Sequence, residues 1–162
     1  MILLIEAQER QLALLDQLGL EPDMAAGHSF GEIMALHRAG VMDADMALTA
    51  AAERGALMAR AAQRTKGAML AVQAEAKTVA PILKSVGEGL VLANDNAPGQ
   101  IVISGSTAAV ERATELAKEA GAKRAVLLPV SAPFHCALMQ PAADAMDEAL
   151  GAARPGGGAA VP

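Results

Sequence analysis

Gly27-His28-Ser29-Phe30-Gly31-Glu32 stands between Pro22-Asp23-Met24-Ala25-Ala26 and Ile33-Met34-Ala35-Leu36. A serine with a glycine two residues away on each side is the pattern of a nucleophile elbow. There a strand turns sharply into a helix and lifts the hydroxyl clear of the backbone. So tight a turn leaves no room for bulky neighbours, which predicts a steric need for both glycines. Residues 22–26 are short and mostly apolar, as a buried strand should be. A helix is predicted from Ile33 to Gly40, its positive end aimed at the serine and at any oxyanion forming beside it. The same letters also fit a serine capping an ordinary strand-to-helix junction. The rest of the chain has to decide.

On either side of this stretch, residues 1–18 are predicted as a helix closed by Gly19, and Asp43 caps an alanine-rich helix over 44–62. From Gly67 the pattern changes. Strands are predicted at 68–72, 90–93, 100–104 and 125–130, helices at 76–85 and 107–120, and a turn over Asn94–Gly99. The order β-α-β-β-α-β is that of a ferredoxin-like split βαβ unit. Ser131-Ala132-Pro133-Phe134-His135 and a helix over 138–150 follow, then a Gly/Ala/Pro-rich tail from Gly151 to Pro162 without periodicity.

Composition narrows the function. The 162 residues can bury a real core, but with Phe30 and Phe134 as the only aromatics that core must be Ala, Leu, Val and Met. A net charge of −5 without basic runs argues against nucleic acid as partner. The lone Cys136 excludes an intrachain disulfide and fits a reducing compartment. The apolar Met1–Ile5 run lacks a basic leader and a cleavage site, and no stretch reaches the roughly 20 apolar residues that span a bilayer. No membrane and a cytoplasmic location are therefore expected.

A serine nucleophile needs a base within hydrogen-bond reach. His28 adjoins Ser29, and consecutive side chains seldom face each other, so packing or a backbone contact suits it better. His37, among small and polar residues of the following helix, reads as a surface residue. His135 sits in a loop stiffened by Pro133, between a strand and a helix, where α/β enzymes place catalytic groups. Arg54 shares a helix face with Ala47, Ala50, Ala51, Leu57 and Met58, while Asp45, Thr49, Glu53 and Arg60 trace a polar stripe. A guanidinium on an inward face needs an anion. Either a structural salt bridge or a bidentate clamp for a substrate carboxylate satisfies it. Cys136 reads as a buried structural thiol, and Asn94–Gly99 as a plain turn whose amides can also line a site. No His/Cys spacing has the form of a metal site.

Four segments in this order and spacing then carry a resemblance: Gly27–Glu32, Glu53-Arg54-Gly55, Asn96-Ala97-Pro98-Gly99-Gln100-Ile101-Val102-Ile103-Ser104-Gly105, and Val130–His135. Over essentially the whole chain the sequence resembles the malonyl-CoA:acyl carrier protein transacylases, and is similar to the acyltransferase domains of polyketide synthases. The resemblance implies catalysis by Ser29 and His135, a Ser-His dyad in which Ser29 carries the malonyl ester and His135 acts as base and then acid. It implies that Arg54 pairs with the malonyl carboxylate and that the Phe30 N–H supplies half of an oxyanion hole. A bulky Phe134 is expected to favour malonyl over methylmalonyl, and Asn96 and His28 are expected at the substrate. Malonyl-CoA and an acyl carrier protein are the implied partners, with no cofactor and no metal.

The expected fold is α/β: part of an α/β-hydrolase-like parallel-sheet domain formed by 1–65 and 128–162, with a ferredoxin-like lobe inserted at 66–127. The resemblance also leads us to expect an internal piece. Family members are nearly twice as long, open with a strand and a Gly-Gln-Gly loop that completes the oxyanion hole, and continue past the point where this chain stops. Two rivals remain at this level. A serine hydrolase or thioesterase shares the Gly-x-Ser-x-Gly motif and would release free acid. A non-catalytic fragment would only bind the carrier protein, through Lys118, Lys123 and Arg124.

Overall fold

A computed structural model describes residues 2–153 and 158–161, and the chain divides into two compact units, 1–57 with 144–162, and 58–143. The first unit is helical. Helix α1 (Ile2–Gln17) ends where Gly19 adopts φ +71° and the Leu20 N–H returns to the Leu15 carbonyl at 3.0 Å. Helix α2 (Gly31–Arg38) stops in the same way, with Gly40 at φ +80° and the Val41 N–H on the Leu36 carbonyl. Asp43 caps helix α3 (Ala44–Arg64), its carboxylate accepting from the Met46 N–H at 2.8 Å. Ile5, Ile33, Met34, Met42, Ala47, Ala50 and Ala51 form the core of this unit. The alanines let backbones approach closely, which is how a core almost without aromatic rings closes.

The second unit holds strand β1 (Gly67–Val72), helix α4 (Ala76–Val86), strands β2 (Leu90–Ala97) and β3 (Gln100–Ser106), helix α5 (Thr107–Glu119) and strand β4 (Ala125–Leu127). The strands lie in the order β2-β3-β1-β4 and every pairing is antiparallel. Leu70, Val72, Ile101 and Ile103 alternate onto one face and pack with Val79, Ile82, Val110, Ala113 and Ala117 of α4 and α5. A 3₁₀ turn (Ala137–Met139) leads into helix α6 (Gln140–Ala153).

Several expectations need correction. Residues 22–26 form no strand. A strand exists only within a ladder, and no described residue of the first unit is in one, so the parallel sheet has no counterpart among the described residues. The turn predicted over Asn94–Gly99 shrinks to Pro98-Gly99. Asn94, Asp95 and Ala97 pair with Val102, Ile101 and Gln100, two register shifts absorb the polar residues, and Gly99 takes φ +76°. Strand β4 stops at Leu127 rather than Val130, because Pro129 has no N–H for a ladder. The tail begins later than expected, since Gly151–Ala153 belong to α6; residues 154–157 and Pro162 lie outside the described residues.

Candidate active site

Ser29 lies in the tight turn before α2. Ser29 adopts φ +52°, and the backbone closes by hydrogen bonds from the Gly31 N–H to the His28 carbonyl at 2.9 Å and from the Glu32 N–H to the Ser29 carbonyl at 3.2 Å. The Phe30 N–H lies one residue before the first of these, at the positive end of α2. A Cβ at Gly27 would stand 2.2 Å from the Gly31 carbonyl carbon and 2.4 Å from the Glu32 nitrogen, so only glycine fits there. Gly31 is different, because a Cβ there meets nothing within 4 Å. The expected steric need for two glycines reduces to one: Gly31 is already the first residue of the helix, its side-chain direction pointing out of the turn.

Ser29 does not stand alone. Arg54 donates from Nη2 to Ser29 Oγ at 3.1 Å, and its guanidinium carbon lies 5.7 Å from the centre of the Phe30 ring. Its place in the unit follows the spacing read from the sequence. Ala47, Ala50 and Ala51 on its face are buried, and Arg54 itself is half-buried. Burial pulls the Arg54 pKa below its ordinary value, and the negative charge of Glu32 in the first turn of α2 opposes that shift. An arginine guanidinium stays protonated near neutrality. Arg54 is a partly dehydrated cation beside a hydroxyl, suited to receive an anion.

His135 belongs to the second unit, in a loop held by its neighbours. Ala132 and Pro133 are buried, and Pro133 packs so tightly on Gly67 that a Cβ there would come within 2.4 Å of the proline ring. The Phe134 N–H donates to the Ala132 carbonyl at 3.0 Å, and Cys136 Sγ donates to the Pro133 carbonyl at 3.0 Å. Cys136 is thus a half-buried structural thiol. Phe134 is half-buried while His135 is exposed at φ +59°. Among the described residues Ser29 and His135 are the only two outside glycine with positive φ. Backbone strain of this kind persists where the surroundings impose it, and it clusters at working sites.

The structure therefore brings Ser29, Phe30 and Arg54 together in one unit, and fixes Phe134 and His135 in one loop of the other. His28 lines a concavity of about 650 Å³ with Leu12, Leu15, Met24 and Met34. Asn96 lies in the second unit with Gln73, Gln100 and Arg124 around a groove of about 400 Å³. His37, expected as a surface residue, is half-buried. Its Nδ1 is 2.9 Å from the Met42 carbonyl and its Nε2 is 3.1 Å from Glu9, tying α1 to the α2–α3 loop. The spacing of Glu9 four residues before Ala13 on α1 gives no hint of a partner so distant in sequence. Nor does any periodicity in the sequence place the Phe30 ring against Arg54. Among the described residues no helix is long and apolar enough to cross a membrane.

Comparison with known proteins identifies the family. Residues 2–159 match the acyl transferase domain. The chain is 49% identical over 138 residues to a malonyl CoA-acyl carrier protein transacylase of Bacillus subtilis, covering 83% of this chain and 44% of that protein. The crystal structure of an acyl carrier protein S-malonyltransferase from Vibrio cholerae superposes with a TM-score of 0.86 at 46% identity, over 93% of this chain and 50% of that one. A malonyl-transacylase solved in complex with its type II polyketide acyl-carrier protein gives 0.85 at 40% identity, again over 93% and 50%. The chain spans less than half the length of the Bacillus relative. It belongs to the acyl transferase domain family.

Proposed function

We propose that this chain carries the acyl-loading machinery of a malonyl-CoA:acyl carrier protein transacylase. In the first half-reaction Ser29 Oγ attacks the malonyl thioester carbonyl as His135 takes its proton. The Phe30 N–H stabilises the oxyanion, the C–S bond breaks, and the proton passes from His135 to the departing coenzyme A thiolate. In the second, the phosphopantetheine thiol of the carrier gives its proton to His135 and attacks the ester, restoring the Ser29 hydroxyl. Arg54 holds the distal carboxylate by a charge-assisted fork. Phe134 limits space beside the α-carbon, and Asn96 and His28 contribute to the donor site. No cofactor or metal takes part, and the setting is cytoplasmic, in fatty-acid or polyketide synthesis. The four-stranded unit corresponds to a ferredoxin-like lobe (66–127) inserted into an α/β-hydrolase-like domain (1–65 with 128–162).

The single observation that carries this reading is the contact of Arg54 with Ser29 Oγ at 3.1 Å. A half-buried cation against the nucleophile suits an enzyme that selects a carboxylated acyl group. Arg54→Ala is expected to lower the rate of Ser29 acylation by malonyl-CoA at least about 100-fold, consistent with losing a charge-assisted pair. Acetyl-CoA, which lacks the distal carboxylate, should be affected far less. Equal losses with both donors would remove Arg54 from recognition, and release of free malonate in place of transfer to a carrier thiol would favour a hydrolase.

A further inference from the structure

We infer that the side chain of Phe30 is a positioning residue: its ring is the platform that holds the Arg54 guanidinium edge-on to an incoming carboxylate. The inference rests on the reading of Arg54 as the carboxylate clamp, and it assigns to the ring a role separate from that of the Phe30 backbone.

Arginine is long and flexible, and a clamp works only if its fork is already aimed. Here the guanidinium is held from two directions by consecutive residues of one turn. Nη2 reaches Ser29 Oγ at 3.1 Å, and the guanidinium carbon stands 5.7 Å from the Phe30 ring centre. That distance lies within the range of cation–π attraction. The backbone that sets Ser29 at φ +52° also sets Phe30 at φ −61° and ψ −32°, so hydroxyl and ring are aimed together. A ring over the guanidinium occupies no N–H, leaving the donors in its plane for a carboxylate. Partial burial strips water from the cation, which strengthens both its attraction to the ring and its pairing with an anion. Phe30 also packs against the apolar core of its unit. A leucine could fill that space without offering a ring face.

The test compares Phe30→Leu and Phe30→Tyr by the ratio of Ser29 acylation rates with malonyl-CoA and acetyl-CoA. Using a ratio removes effects on the oxyanion hole and on packing, which both donors share. Phe30→Leu is expected to cut the malonyl-over-acetyl ratio about three- to tenfold, and Phe30→Tyr to restore it. An unchanged ratio in Phe30→Leu, or a loss that Phe30→Tyr fails to rescue, would overturn the inference. Should neither donor acylate the unsubstituted chain, the loading reaction itself fails, and the platform is read by NMR instead. The Arg54 side-chain N–H signals should show an upfield ring-current shift that survives Phe30→Tyr and disappears in Phe30→Leu. Absence of that shift in the unsubstituted chain, or its persistence in Phe30→Leu, would refute the platform directly.

Discussion

Gly27→Ala and Gly31→Ala add the same methyl group four residues apart and should have opposite consequences. At Gly27 the new Cβ would lie 2.2 Å from both the carbon and the oxygen of the Gly31 carbonyl and 2.4 Å from the Glu32 nitrogen. All three are backbone atoms at the start of α2, so no side chain can swing away. The turn must open by about 1 Å to restore ordinary contact distances, which overpacking precedents put at about 1–3 kcal/mol or more. At Gly31 the added methyl enters open space on a helical residue, where alanine gains about 0.5–1 kcal/mol over glycine. Urea unfolding followed by helical circular dichroism reads the difference, because the unit holding the elbow contains α1, α2 and most of α3. With a slope of about 1–3 kcal/mol per molar urea, Gly27→Ala should lower the midpoint by about 1 M while Gly31→Ala leaves it unchanged or slightly raised. Gly27→Ala should also displace Ser29 and depress its acylation. The reasoning fails if Gly27→Ala is as stable as the parent, or if Gly31→Ala is destabilised as much.

Other substitutions test separate parts of the account. Ser104 is fully buried on β3 with no hydrogen-bond partner for its Oγ among the described residues, so Ser104→Ala should raise stability by about 1 kcal/mol in thermal unfolding. Asp43→Ala removes the cap at the start of α3 and should cost about 0.5–2 kcal/mol, recovered in large part by Asp43→Asn. His37→Ala breaks the link from α1 to the Met42 carbonyl and should cost about 1–2 kcal/mol by urea titration.

Local rules carried much of the second unit. Alternation put Leu70, Val72, Ile101 and Ile103 on one face, and the Ser106 side chain caps α5 as its place before Thr107 requires, accepting from the Ala109 N–H at 3.3 Å. Where pairing decides, the sequence was a poorer guide. Asn94, Asp95 and Asn96 have turn chemistry, yet β3 recruits them into a bulged ladder, because unpaired backbone costs more than irregular register. Residues 22–26 have strand composition but no partner strand among the described residues of their unit. At the site, two glycines announced Ser29, and helical spacing announced that Arg54 turns inward. What periodicity cannot express is a side chain's pose. The Phe30 ring over Arg54 and the His37 bridge both depend on chain segments distant in sequence.

The proposed loading reaction stands or falls on whether Ser29 accepts a malonyl group from coenzyme A. Intact-mass measurement of the purified chain after incubation with malonyl-CoA, beside Ser29→Ala, tests it most directly. The expected result is a single malonyl-sized increment that maps to Ser29 and is missing from the alanine variant. A folded chain that stays unmodified, or an increment that survives Ser29→Ala, would contradict it.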